Sequence, residues 1–408
     1  MHDATNRGAE AASWIDRLAK ISEPGPGVTR MPFSEEHRRV LPLLTELMQA
    51  AGLDVTMDAA GTLIGRRDGP AGAPVLLMGS HQDSVREGGA YDGIMGIVLP
   101  ALALGALRER PLPFAVELLA FADEEGARFP TALMGPRALA GSFDMAALDL
   151  TDADGISLRR AMTDFGLDPD ALPGLRRDPA GIMGWIECHI EQGPVLEAEG
   201  EALGVVTAIC GIERHSARLT GEAAHAGTTP RVLRRDAMRA AQAMLGHLYE
   251  AAADEADNLR FTVGRFEVFP GAPNTVPARV YFTIDLRHPD AEEIARMTAE
   301  IEAAARALAA PCEVMVSRLA DSPPTVFDPD VVAALDGWRE RLGLAGRRMM
   351  SGAGHDAMHL ARVAPTAMIF VPCEKGISHH ESENAKPQDL AAGARLLAAA
   401  LTDLALRE

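Results

Sequence analysis

The chain has 408 residues, 47% of them apolar and 24% charged, which excludes a disordered or fibrous polymer and is too long for one ordinary core, so two domains are expected. Its net charge of −19, from 39 basic and 58 acidic residues, argues against nucleic acid or a membrane surface as a partner. A small anionic substrate stays admissible, because one nearby arginine outweighs a distant field. The four cysteines, Cys188, Cys210, Cys312 and Cys373, show no CxxC spacing and read as free thiols of a reducing compartment. Residues 1–13 are polar and lack the apolar run of a secretory signal. The longest apolar run, 94–107, is shorter than a membrane span and reads as a buried helix. A cytoplasmic location is expected.

In chain order, Ser34 caps a helix predicted over 35–51, with Glu35 and Glu36 at its positive end and Gly52 as its stop. Residues 53–67 read as a strand pair turning at Ala60-Gly61. The run Val75-Leu76-Leu77-Met78 suits a strand buried on both faces. A helix over 93–108 and a second buried strand over 114–121 make a βαβ unit, with a site expected beyond the carboxyl ends of its strands. From residue 213 the order becomes strand 215–220, helix 235–251, strands 261–269 and 278–287, helix 291–309, strand 312–319, the order of a ferredoxin-like unit. An apolar strand at 366–371 and a helix from Pro387 resume the α/β pattern. The expected architecture is therefore an α/β catalytic domain, a mixed sheet flanked by helices over 1–212 and 328–408, with an α+β domain inserted over 213–327.

Five polar segments exceed what a plain fold requires: 79–84, 88–93, 123–126, 188–193 and 376–381. Imidazole and carboxylate side chains suit Zn and similar divalent metals. A two-metal site needs ligands private to each ion, a carboxylate shared between them and a water to activate. His81 and His189 offer one set, Glu125 and His379 the other, and Asp92 the bridge. Glu124, beside a ligand, is free to act as general base. Asp83, two residues after His81, is placed to accept the other ring N–H of that histidine. His380 competes with His379 for the last position.

The strings GSHQDSVREGGAYDG (79–93), DEEGARF (123–129), HIEQGPVLE (189–197), GEAAHAGTTP (221–230), RRDA (234–237), PGAPNTVP (270–277), DLR (285–287), SGAGHDAM (351–358) and GISHHESE (376–383) run through most of the chain. In that order they resemble the hydantoinase/carbamoylase branch of the dinuclear M20-type metallohydrolases. The resemblance implies two divalent ions per subunit (Zn first, then Mn, Co or Ni) on the ligands given above, and His379 as the last of them. It implies a homodimer in which the inserted domain serves dimerisation and acts as a lid. It further implies that His225 stabilises the oxyanion, that Asn274 and Arg287 hold a substrate carboxylate, and that Gln192 contacts a ureido group. Read without the resemblance, His225 braces a Gly-Thr-Thr turn and Arg287 pairs with Asp285 or Asp290. The implied activity is hydrolysis of the ureido C–N bond of a small carboxylate-bearing substrate such as an N-carbamoyl-L-amino acid, by attack of a hydroxide shared between the ions. The rivals are allantoate or ureidoglycolate hydrolysis, an N-acyl-amino-acid deacylase or dipeptidase, and a non-catalytic metal-binding protein. Gln82, Arg86, Glu87 and His380-Glu381 depart from the pattern common in relatives.

Overall fold

The computed structural model describes residues 2–253 and 258–404, with side chains from residue 7 onward; the expected domain ends at residues 1 and 405–408 lie outside them. The chain forms two compact units, Met1–Thr207 with Phe327–Glu408, and Ala208–Val326. The expected boundaries at 212/213 and 327/328 stand beside observed ones at 207/208 and 326/327.

The first unit opens with a helix, His2–Ala19, that the sequence reading left as a polar segment. Its buried stripe is Ala11, Ile15 and Leu18, too dilute among Ala, Gly and charged residues to show as a period, and it packs on the terminal helix Pro387–Leu404. The helix Glu35–Ala50 starts at Ser34, whose hydroxyl accepts the N–H of His37. Strands β1 (Asp54–Met57) and β2 (Leu63–Arg67) form the antiparallel pair around Ala60-Gly61. Strands β3 (Val75–His81) and β4 (Ala115–Phe121) are buried at every residue and pair in parallel through the helix Met95–Gly105. Within β4 the buried Glu117 is matched by Arg66 at 2.5 Å and Arg177 at 2.8 Å, which satisfies an otherwise costly charge. Strand β5 (Ile182–Ile190) adds a third parallel member; Glu187 and His189 break its apolar run and hid it from the reading. Strand β6 (Leu203–Ile209) follows.

The second unit contains β7 (Gly211–Thr220), a short β8 (Ala224–His225), the helix Ala237–Ala251, β9 (Arg260–Phe269), a short β10 (Thr275–Val276), β11 (Arg279–His288), the helix Ala291–Leu308 and β12 (Glu313–Ser322). Its main sheet is antiparallel in the order β12-β7-β11-β9. Alternate residues Ala217, Leu219, Phe282 and Ile284 bury against Met244 and Leu248 of one helix and Met297 and Ile301 of the other.

The chain then returns through β13 (Gly346–Ser351) and β14 (Thr366–Val371) to the first sheet, β1-β2-β4-β3-β5-β14-β6, in which both β13 and the two-residue strand Thr325–Val326 lie beside β6. Strands β4, β3, β5 and β14 are mutually parallel, so their carboxyl ends share one edge. Four of the five polar segments are carried at or just after those ends, and the fifth leads into the helix that follows β3. Among the described residues, no helix is long and apolar enough to cross a membrane.

Candidate metal centre

Asp92 sits among three imidazoles supplied by three different strand ends. Its Oδ1 lies 3.3 Å from His81 Nε2 and 3.1 Å from His189 Nε2, and its Oδ2 lies 3.3 Å from His379 Nε2. His81 ends β3, His189 is the penultimate residue of β5, and His379 follows β14. The loop bearing Asp92 can lie against His81 because Gly93 has φ +68° and no side chain; a Cβ there would come within 2.5 Å of the His81 ring. His379 Nε2 is also 3.6 Å from Glu125 Oε1.

The two acids after β4 are held by Asp83, whose carboxylate accepts the backbone N–H of Glu124 at 3.1 Å and that of Glu125 at 3.2 Å. His81 Nδ1 is 3.5 Å from Asp83 Oδ1 but 3.1 Å from the Asp83 carbonyl oxygen, so the backbone is its nearer partner. His189 Nδ1 likewise donates to a backbone carbonyl, that of Ile190, at 3.0 Å. Donation through Nδ1 leaves each Nε2 as a lone pair. Both lone pairs face an anionic oxygen of Asp92, and two acceptors at this distance need a proton or a cation between them.

The donor set fits a divalent metal on that ground. The ligand atoms of His81, Asp92 and His189 lie within 4.8 Å of one another, as do those of Asp92, Glu125 and His379, and those of His81, Glu124 and Glu125. Glu125 Oε1 is buried with no hydrogen-bond partner among the described residues. The titration behaviour points the same way. Burial opposes a charge on His81, yet its contacts with Asp83 and Asp92 lift it well above its ordinary value. The hydrogen bond to Asp92 takes His379 up to about 9. Burial, then the charge of Asp92, pushes Glu125 up to about 7, and burial drives Glu124 well above the usual carboxylate range. The pocket demands positive charge, which ions would supply.

Next to His379, His380 turns away and places Nδ1 2.8 Å from Ser382 Oγ on the exposed side. Gln192, at φ +56°, puts Nε2 2.8 Å from Asp92 Oδ2 and 3.2 Å from Ser378 Oγ. In the second unit His225 Nδ1 accepts the N–H groups of Gly227 and Thr228 at 3.1 and 3.2 Å, bracing the Gly-Thr-Thr turn and leaving Nε2 to carry the ring proton. Asn274 adjoins it, because β8 pairs with β10 and the N–H of Ala226 donates to the Asn274 carbonyl. Arg287 pairs with Asp285 at 2.7 Å, near the far end of β11. Its position is eight residues along the strand from Arg279, about 26 Å of extended chain, so this unit does not bring Arg287 to His225 and Asn274.

Several buried or half-buried side chains around the centre carry no signal in the spacing of the sequence. Glu383 grips the Asp92 loop, and Ser378 links the two. Glu187 accepts from Ser80 and from the Ala357 N–H. His355 meets the His189 ring edge-on at 4.5 Å and is 2.9 Å from Ser351 Oγ. Most lie inside the quoted strings, but nothing in the spacing alone separated them from turn residues.

A parallel-sheet edge that gathers three imidazoles and three carboxylates defines a metallohydrolase. Residues 77–403 match Peptidase family M20/M25/M40, and the chain belongs to that family. It is 40% identical to an N-carbamoyl-L-amino acid amidohydrolase of Geobacillus stearothermophilus, over 93% of this chain and 95% of that one. It is 37% identical to the allantoate amidohydrolase of Escherichia coli K12, over 97% of both. In structure it is similar to a hydantoinase/carbamoylase family amidase of Burkholderia multivorans, with a TM-score of 0.90 at 36% identity over 98% of both chains. Its place is thus in the hydantoinase/carbamoylase branch, among hydrolases of non-peptide C–N bonds.

Proposed function

We propose that the protein hydrolyses the ureido C–N bond of an N-carbamoyl-L-amino acid, releasing the amino acid, carbon dioxide and ammonia. The observation that supports this reading is the convergence of His81, His189 and His379 on Asp92, with Glu124 and Glu125 within ligand reach. His81, His189 and Asp92 would hold one ion, and Asp92, Glu125 and His379 the other, with Zn favoured and Mn, Co or Ni compatible with the donors. When bound, such a pair polarises the scissile carbonyl and makes water at the site more acidic.

Glu124 is the general base: its carboxylate takes a proton from the attacking water and returns it to the leaving nitrogen. Asp83 keeps that side chain in place through the backbone of Glu124 and Glu125. His225 donates through Nε2 to the developing oxyanion. Gln192 meets the ureido group, while Asn274 and the Arg287 guanidinium hold the carboxylate. Because Arg287 stands at the opposite end of β11 from Arg279, the end next to the segments that carry His225 and Asn274, with roughly 26 Å of strand between those two arginines, one small substrate would meet all three residues only if two copies share their inserted units. We therefore infer a homodimer with reciprocal sites, in which those units serve dimerisation and act as lids. Among the described residues no disulfide joins the four buried cysteines, which supports a cytoplasmic setting.

The similarity to an allantoate amidohydrolase supports a second reading, in which the ureido acid is allantoate. Ammonia release from N-carbamoyl amino acids, allantoate, ureidoglycolate and 3-ureidopropionate, each with Zn, Mn, Co and Ni, decides between them. Cleavage of dipeptides or N-acetyl amino acids, with no ureido acid turned over, would overturn both.

A further inference from the structure

Glu383 follows His379 by four residues and is 5% exposed. Its Oε1 accepts the backbone N–H of Tyr91 at 2.8 Å and of Asp92 at 3.0 Å. Its Oε2 is 3.1 Å from Ser378 Oγ, and that hydroxyl is in turn 2.9 Å from Asp92 Oδ2. A carboxylate from the last ligand loop thus holds the backbone of a residue 291 positions earlier, and the Ser378 hydroxyl stands between that carboxylate and Asp92 Oδ2, its one proton available to either. The space for it exists because residue 89 is glycine; a Cβ there would lie 2.0 Å from the Glu383 carboxyl carbon.

A bridging carboxylate has a stricter task than a terminal ligand. It must direct one oxygen to each of two ions, so a small rotation of its loop spoils both. The Asp92 oxygens already face different imidazoles, Oδ1 towards His81 and His189 and Oδ2 towards His379. We propose that Glu383 is the positioning residue of Asp92, fixing the orientation in which it serves both ions. This rests on the reading of Asp92 as the shared ligand. Gly89 and Ser378 complete the device, the first by admitting the carboxylate and the second by relaying it to Oδ2.

The test uses the full-length protein and Co²⁺ as probe, with affinity from competition against a chromophoric chelator and geometry from the visible d–d spectrum. Glu383→Ala weakens Co²⁺ binding by about 10- to 100-fold, alters the spectrum and lowers kcat with little change in KM. Glu383→Gln recovers most of this, since the amide oxygen can accept both N–H groups and the amide nitrogen can donate to Ser378. Gly89→Ala, which touches neither Asp92 nor a histidine ligand, reproduces the loss and carries the test if Glu383→Ala does not fold. A wild-type protein that binds no Co²⁺ removes the ligand reading of Asp92 and this inference with it. Wild-type binding with unchanged affinity and spectrum in Glu383→Ala, or equal damage from Glu383→Ala and Glu383→Gln, overturns this inference alone.

Discussion

Gln192 Nε2 donates to Asp92 Oδ2 at 2.8 Å and stands 3.4 Å from His379 Nε2, between two side chains proposed to hold one ion. The residue holds a left-handed backbone, a conformation that costs on the order of 1 kcal/mol for a side chain without local compensation. Such strain persists where a side chain must be aimed. Ion binding would compete with the amide for Asp92 and free it for a substrate.

Gln192→Ala should therefore leave metal affinity equal to or above that of the wild type. kcat/KM on an N-carbamoyl substrate should fall about tenfold, the worth of one hydrogen bond to a buried group. Calorimetric metal titration beside steady-state kinetics checks this. A parallel loss of metal affinity would make Gln192 a support of the ligands and no substrate contact.

Glu124→Gln keeps the shape of the side chain and removes its ability to accept a proton. The backbone N–H of residue 124 still donates to Asp83, so the loop should hold. Turnover should fall by roughly 10² to 10⁴, with metal content by elemental analysis unchanged. Retention of most activity would place the base elsewhere.

What the sequence disclosed follows from how local each signal is. Strands β3 and β14 carry continuous apolar runs, β4 is apolar but for the single Glu117, and the inserted unit follows one clear alternation of strands and helices, so both were legible. Strand β5 was not, because the residues that make it functional, Glu187 and His189, interrupt the apolar pattern that marks a strand. The helix His2–Ala19 was missed because Ala11, Ile15 and Leu18 give it only a thin buried stripe. For the site, His81, Asp92, Glu125, His189 and His379 stood at motif positions, and the structure brings them together. Glu383 and Ser378 meet Asp92 across 291 and 286 positions, and no spacing rule reaches that far. The distance between Arg287 and His225 is a property of strand length, which the strings for each could not show.

His37, whose Nε2 lies 2.9 Å from Gln82 Nε2, gives the protein a pH dependence of its own. It is buried, its Nδ1 accepts the Phe33 N–H at 3.0 Å, and its ring stacks on Phe165 at 4.5 Å. Burial first, and the charge of Arg30 next, depress its pKa to about 3. The unfolded chain binds a proton below about pH 6.5 that the folded chain refuses until near pH 3, so stability is fully present above 6.5 and is lost as pH falls. Between pH 6.5 and 5 the loss from this group amounts to about 2 kcal/mol. In His37→Asn, whose side-chain oxygen can still accept from Phe33, urea unfolding should show a shallower decline over that window. Equal slopes in the two proteins would mean that His37 is protonated in the folded state.

The separation of Arg287 from His225 leads to a complementation experiment. If His225 reaches a site from the partner copy while Arg287 serves the site of its own chain, a dimer of His225→Ala with Arg287→Ala contains one site with both residues intact and one with neither. Each homodimer is defective at both sites. Random exchange makes half of the dimers mixed, and half of their sites are whole, so about a quarter of wild-type activity should return on mixing two nearly inactive proteins. The recovery should need conditions that let subunits exchange, and should be absent when each variant is cross-linked beforehand. Activity that stays at the level of the separate variants after verified exchange would mean that both residues serve the same site or that Arg287 serves none. A fall confined to Arg287→Ala on α-carboxylate substrates, with neutral amides spared, would then still assign the guanidinium to the carboxylate and leave only the sharing between subunits refuted.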